Sequence, residues 1–249
     1  MPNELIGRAA RDLQSAKMVV ALTGAGISVE SGIAPFRGKG GLWEKIDPME
    51  VAHIDAFMAD PARVWQVLIK DMKEMLDSAR PNDGHKGLAR LEQDGILTTV
   101  ITQNVDGLHQ AAGNTDVIEF HGSFAWQSCL ACGKRQPTRA IDMRTIPPRC
   151  ACGGILRPDC VFFGEMIPSQ ALYRSQQAAA ACDVMLVVGT SATVYPAAAM
   201  PVIAKQHGAR IIEINPEATS LTATTSDYLI KEGAGAAMNA IVAALWHAT

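Results

Sequence analysis

Short runs that are apolar at nearly every position constrain this chain more than any other feature. Met18-Val19-Val20-Ala21-Leu22 is the first, and Ile96 to Ile101, Val184 to Val188 and Ile211 to Ile214 repeat the pattern. A strand wetted on one face alternates apolar and polar residues. A run without that alternation suits a strand covered on both faces, as in a parallel sheet. Each run gives way to small or polar residues, and helical patterns such as Ser169 to Ala181 and Gly235 to Trp246 lie between them. Ahead of the first run, Leu5, Ile6, Ala9, Ala10 and Leu13 share one helical face. Strands alternating with helices predict an α/β doubly wound sheet. The 249 residues fit one large or two small domains, and a hydrophobic content of 48% supplies the core.

The same numbers exclude several classes. With 25 acidic and 22 basic side chains the formal charge is -3, so there is no basic excess of the kind that coats a polyanion. High apolar content with low net charge argues against disorder. Six cysteines are too few for a disulfide scaffold. The opening MPNELIGRAARDLQ carries acids and an arginine where a secretory signal needs an apolar stretch. Val184 to Ala204 is free of charge, but Gly189, Thr190, Ser191, Pro196 and Pro201 interrupt it, so it reads as strand, polar loop and helix. The expectation is a soluble, cytoplasmic protein.

Two stretches break the strand–helix rhythm. Gly32 to Pro48 has no strand period and reads as a long ordered loop, followed by a helical stretch from Pro61 to Ala79. Ser128 to Asp159 holds four cysteines and four prolines. Loops this long inside a compact domain are usually functional. The layout predicts one nucleotide-binding domain with two insertions that pack together as a smaller domain.

Three motifs carry chemistry. Gly24-Ala25-Gly26-Ile27-Ser28 follows the first strand, where glycines let the backbone turn tightly and approach a pyrophosphate. The dehydrogenase fingerprint fails, because Val29 stands at its third glycine and no strand ending in an acid follows. A tight turn with no ligand explains the glycines equally well. Gly189-Thr190-Ser191 and Asn215-Pro216-Glu217 also follow strands, and three polar strand ends make a dinucleotide crevice plausible. Second, Cys129-x-x-Cys132 and Cys150-x-Cys152 offer four thiolates for a tetrahedral zinc, with Lys134, Arg135 and Arg149 to offset the charge. The single intervening residue of the second pair excludes the usual knuckle there, which makes Cys160 a substitute ligand; redox or free thiols are the other reading. Cys182 reads as a small core residue. Third, Gln103, Asn104 and Asp106 follow the second strand, where they suit a sugar, an amide or water, or simply a capped turn. His121-Gly122 ends another short run, Val117 to Phe120. An imidazole there suits a general base, and the glycine leaves room for substrate, although a lone histidine is more often structural. His53, His85, His207 and His247 are read as structural.

Taken together, these stretches resemble the sirtuins, the NAD-dependent protein deacylase family. The resemblance runs from about Met18 to Gly235. It rests on Gly24 to Ile33, Phe36-Arg37, Thr102 to Asp106, His121-Gly122, the cysteine pairs, Phe163-Gly164-Glu165, Gly189-Thr190-Ser191 and Asn215-x-Glu217. It implies a single catalytic core over residues 1–249. The Rossmann-like part covers about 1–33, 85–122 and 166–249. A smaller domain combines a helical insertion at about 34–84 with a zinc ribbon at about 123–165. NAD is the implied co-substrate and Zn2+ a structural ion. The implied reaction releases nicotinamide and moves the acyl group of a modified lysine to ADP-ribose, leaving free lysine and O-acetyl-ADP-ribose.

Residue roles implied by the resemblance follow by position. His121 is the base, working with Gln103, Asn104 and Asp106 on the reacting ribose and the carboxamide. Gly24, Ala25, Gly26 and Ser28 meet phosphates and ribose, and Phe36 and Arg37 cover the sugar. Gly189, Thr190, Ser191, Asn215, Glu217 and Ala234 take the adenosine side. Val161, Phe162, Gly164 and Glu165, with Val194 and Tyr195, clamp an extended peptide by strand addition. Cys129, Cys132, Cys150 and Cys152 hold the zinc. Acyl-lysine proteins or peptides are the implied partners; nucleic acid and membrane are not, and oligomeric state is left open. Ala34 stands where a proline is usual. Leu68 and Asp71 fall where members that remove succinyl or malonyl groups carry a Tyr-x-x-Arg pair, which implies neutral acyl substrates. The rival readings are ADP-ribosyl transfer to a protein on the same cleft and a non-catalytic NAD-binding or zinc-ribbon module.

Overall fold

The computed structural model describes residues 2–35, 41, 44 and 46–247. In chain order, α1 (Pro2–Ser15) precedes β1 (Val19–Thr23), whose exit is a 3-10 helix, Ala25–Ser31. A first excursion then runs through α2 (Pro48–Val51), α3 (Ile54–Ala59) and α4 (Pro61–Val64). One π turn, Trp65–Ile69, carries α4 into α5 (Lys70–Ser78). The chain returns through α6 (Asp83–Gln93), β2 (Leu97–Thr102), α7 (Leu108–Ala112) and β3 (Val117–Glu119). A second excursion holds β4 (Gly122–Cys129), β5 (Arg135–Pro137) and β6 (Leu156–Cys160). The rest alternates: α8 (Ser169–Ala181), β7 (Val184–Val188), α9 (Met200–Gln206), β8 (Arg210–Ile214), α10 (Ser220–Thr224), β9 (Tyr228–Ile230) and α11 (Ala234–His247).

Six strands form the main sheet in the order β3-β2-β1-β7-β8-β9, and every neighbouring pair is parallel. This is the doubly wound arrangement that the unbroken apolar runs predict. All five residues of β1 and of β7 are buried. Val19 and Ala21 face a core shared with α1, α6 and α11, while Val20 and Leu22 face one shared with α8 and α9. The strand order reverses direction between β1 and β7. That is the switch point at which open α/β sheets leave a crevice beyond their carboxyl ends. Val184 to Ala204 is strand, loop and helix, and no helix among the described residues is long and apolar enough to cross a membrane.

The excursions share a third core. Phe57, Val64, Trp65 and Ile69 of the helical segment pack with Phe124 and Phe162 of the ribbon segment. The buried Trp65 Nε1–H donates to the Leu156 carbonyl at 2.9 Å, which satisfies the one polar atom of that ring. β4, β5 and β6 form an antiparallel three-stranded sheet in the order β5-β4-β6. The first excursion is tied back by Asn82. Its Oδ1 caps α6 by accepting from Gly84 N at 2.9 Å, and its Nδ2 donates to the Ile27 carbonyl at 2.7 Å and Ser31 Oγ at 2.9 Å. One cap residue thus fixes the start of α6 against the turn that leaves β1.

Candidate active site at the carboxyl ends of the strands

The exits of β1 and β7 touch backbone to backbone. Gly26 N donates to the Gly189 carbonyl at 2.7 Å, and Gly24 N to the Val188 carbonyl at 3.1 Å. A Cβ on Gly26 would lie 2.7 Å from Gly189 Cα, and Gly189 has φ +59. These glycines are thus required by the packing of two strand exits, before any ligand is considered. Of the two readings the sequence leaves open, the tight turn alone already accounts for Gly26 and Gly189.

Ser28, fully buried in the 3-10 turn, is the meeting point of the next layer. Its Oγ donates to Asp106 Oδ2 at 2.7 Å and accepts from Asn104 Nδ2 at 3.0 Å. Asn104 Nδ2 also reaches the Gly24 carbonyl at 3.1 Å, and Asp106 Oδ1 caps α7 through Leu108 N at 2.9 Å. Gln103 extends the row sideways, with Nε2 donating to Thr190 Oγ1 at 2.9 Å. Asn215 Nδ2 then donates to the Thr190 carbonyl at 3.2 Å. Residues from the exits of β1, β2, β7 and β8 are joined into one polar row across the switch point.

His121 joins that row through its ring. Its Nδ1 lies 3.0 Å from the Gln103 carbonyl; a carbonyl only accepts, so Nδ1 carries the proton and Nε2 keeps its lone pair. Burial pushes the imidazole below its ordinary value of 6.5, against the opposing pull of that carbonyl. The chain then turns at Gly122, φ +74, where a Cβ would sit 2.2 Å from the Asp159 carbonyl. The glycine after the histidine is therefore demanded by β6, which comes too close for any side chain.

Beneath this row lies a polar layer that the sequence reading missed. Thr23 Oγ1 is 2.9 Å from both Thr102 Oγ1 and His109 Nε2, and Thr102 Oγ1 accepts from Asn104 N at 3.1 Å. His85 packs edge-on against His109 with ring centroids 4.9 Å apart, and its Nε2 is 3.4 Å from Ser28 Oγ. Burial pushes His85 down to about 4 and His109 down to about 3, so both are neutral at neutral pH. A cavity of about 170 Å3 opens beside Ser28, Asn104 and Asp106 and is walled on its far side by Val67, Leu68, Asp71 and Met72. Leu68 and Asp71 thus line the same cavity as the polar row.

The remaining candidates are distributed as follows. Ala25 lines that cavity. Ser191 and Glu217 are exposed at the exits of β7 and β8, and the buried Ala234 begins α11. Val161 N donates to the His121 carbonyl at 2.9 Å, which ties the start of the segment 161–165 to the backbone of His121. Gly164, φ +87, passes so close to His53 that a Cβ would meet its Nε2 at 2.6 Å. The Glu165 carboxylate is taken up by Arg157 at 2.6 and 2.7 Å, and its N–H donates to the Phe162 carbonyl at 3.1 Å. Val194 is half-buried and Tyr195 is 73% exposed. Phe36 and Arg37 lie outside the described residues.

The four cysteines converge. Sγ atoms of Cys129, Cys132, Cys150 and Cys152 all lie within 4.8 Å of one another, and Cys160 is not among them. The shorter spacing of the second pair is absorbed by a tighter turn. Gly133 N donates to the Cys129 carbonyl four residues back at 2.9 Å, whereas Gly153 N donates to the Cys150 carbonyl three residues back at 2.8 Å. Both glycines have positive φ. Backbone N–H groups of Cys132 and Ala131 draw the Cys129 thiol down to about 6. Cys152, although it accepts from Gly154 N, is pushed up to about 11 by the neighbouring thiols. Four sulfurs this close ionise together only around a cation, and the set fits a tetrahedral zinc.

The Sir2 family model matches residues 24–196. An NAD-dependent protein deacylase 2 from Pyrobaculum aerophilum is 47% identical over 233 residues, covering 92% of each chain. A Sir2 homologue mutant solved with ADP-ribose superposes with a TM-score of 0.92 at 42% identity, covering 97% of this chain and 96% of that one. A Sir2 complex with a p53 peptide and NAD+ superposes with a TM-score of 0.85 at 32% identity, covering 94% and 95%.

Proposed function

The chain belongs to the Sir2 family, and we infer from that membership and from the polar row at the switch point how it works as an NAD-dependent protein deacylase. The carrying observation is the bond from His121 Nδ1 to the Gln103 carbonyl, which puts a histidine with a free Nε2 next to the residue pair Gln103–Asn104. Bound NAD supplies a labile bond between ribose and nicotinamide, and the ADP-ribose released there accepts the acyl group. The chain does the rest. Gly24, Ala25, Gly26 and Ser28 hold the phosphate side, and Gln103, Asn104 and Asp106 orient the reacting ribose and the carboxamide. Gly189, Thr190, Ser191, Asn215, Glu217 and Ala234 hold the adenosine side, and Phe36 and Arg37 cover the sugar. His121 Nε2 takes a proton from a ribose hydroxyl.

Val161, Phe162, Gly164, Glu165, Val194 and Tyr195 hold an acyl-lysine peptide by main-chain pairing, which gives affinity with little sequence choice. Cys129, Cys132, Cys150 and Cys152 bind Zn2+, whose part is to keep β4, β5 and β6 together. We assign the larger lobe to residues 1–33, 85–122 and 166–249 and the smaller lobe to 34–84 and 123–165, with NAD between them. A cytoplasmic setting suits four cysteines kept as thiolates. The deciding experiment incubates the protein with NAD and an acetyl-lysine peptide and identifies both products by mass. Deacylation yields free lysine and O-acetyl-ADP-ribose in equal amounts. A protein heavier by ADP-ribose, with the peptide untouched, would favour ADP-ribosyl transfer instead.

A further inference from the structure

The segment from Cys160 to Glu165 carries four of the residues proposed to meet the peptide, and its shape depends on one side chain. Arg157, on β6, sends its guanidinium into the bend. Nη2 donates to the Cys160 carbonyl at 2.8 Å and to Glu165 Oε2 at 2.7 Å, while Nη1 donates to Glu165 Oε1 at 2.6 Å. The same guanidinium lies 4.8 Å over the Phe162 ring. Glu165 closes the loop by accepting from Phe162 N at 2.9 Å and donating its own N–H to the Phe162 carbonyl at 3.1 Å. The outer edge is pinned by Val161 to His121 and by Phe163, whose N–H and carbonyl bond Ala52 and Ile54 at 2.9 Å. The side chains of Arg157 and Glu165 are only 15% and 25% exposed, so solvent screens this pair less than the surface pairs of the molecule. Partial burial would raise the Glu165 carboxyl, yet the bonds from Arg157 hold it below the usual carboxylate value.

We propose that Arg157 is a positioning residue for peptide capture, holding residues 161–165 in their docked shape before substrate arrives. A segment ordered in advance spares the peptide the cost of ordering it. A lysine substitutes only in part, since it offers a point charge and no planar fork to span the Glu165 carboxylate and the Cys160 carbonyl together. The inference rests on the deacylase reading for its kinetic arm only.

The test uses Arg157→Ala, Arg157→Lys and Glu165→Gln in the full chain. In Arg157→Ala the KM for an acetyl-lysine peptide rises about tenfold, while the KM for NAD moves by less than about twofold; Arg157→Lys falls between it and the parent. Amide hydrogen exchange speeds up across Val161–Glu165 and stays as it was in β1, β2 and β7. Exchange is read without substrate, so it judges the positioning role even if the parent protein deacylates nothing, an outcome that would sink the deacylase reading separately. Unchanged exchange at 161–165, or equal rises in both KM values, overturns the proposal. If Arg157→Ala does not fold, Arg157→Lys and Glu165→Gln decide it by the same two readouts.

Discussion

At the scale of single residues, His121 depends on one carbonyl. Its Nδ1 proton is committed to Gln103, so the side chain has a single basic atom to offer. Replacing His121 with Ala should leave NAD binding intact and lower turnover by about 10²–10⁴-fold, the usual worth of a general base; calorimetric titration and steady-state kinetics check both halves. Burial lowers the pKa of this imidazole, so the neutral, basic form persists into mildly acid solution. The acid limb of the pH profile of kcat/KM should accordingly fall below the ordinary 6.5, and a limb above that value would show the burial argument to be wrong. Gly24 to Ser28, Gln103 to Asp106 and His121 were legible because each directly follows an apolar run, and strand ends are where a sheet presents chemistry. His85, Thr23 and Arg157 were not. Thr23 meets a partner 86 residues away and His85 one 57 residues away, and no local pattern announces such pairs.

Among the elements, the ribbon is the one least able to hold itself. Its own apolar centre beyond the cysteines is Leu156 with help from Ile141, and a buried leucine contributes about 1.5–3 kcal/mol. A structural zinc in a small module contributes about 10 kcal/mol or more, so the metal dominates. Substituting Cys150 by Ser should abolish zinc binding and open residues 130–155 to limited proteolysis, while the circular dichroism of the main sheet and its helices persists. Protection of that stretch without metal would contradict the zinc assignment. The main-sheet strands were readable because burial on both faces leaves a continuous apolar signature. β4, β5 and β6 were not: β5 has three residues, and the eight-residue β4 is buried in no regular alternation. Nor did the cysteine spacing disclose the three-residue turn at Cys150, since a glycine with positive φ at 153 supplies it.

Taken whole, the molecule carries an acid sensitivity in its core. An unfolded chain protonates each histidine as pH drops past 6.5, whereas the folded chain keeps His85 neutral to about 4 and His109 to about 3. Between those limits the unfolded state binds more protons, so stability declines as pH falls, by roughly 1.4 kcal/mol per unit for each histidine. Thermal melts from pH 7 to pH 4 should show a steady loss of Tm, and His109→Gln should flatten the slope. At the same scale, the cavity shared by the polar row and the helical excursion presents Leu68 and Asp71, an apolar group and a negative charge. Acetyl-lysine peptides should be turned over faster than succinyl-lysine peptides; the reverse order in parallel assays would remove Asp71 from any part in selection. Both excursions interrupt strand-to-helix connections beyond the carboxyl ends of the main sheet, so lengthening or rewriting either leaves each of its six strands with the neighbours it already has. The main sheet and the polar row at its strand ends can therefore persist while the two surface insertions drift in length and sequence.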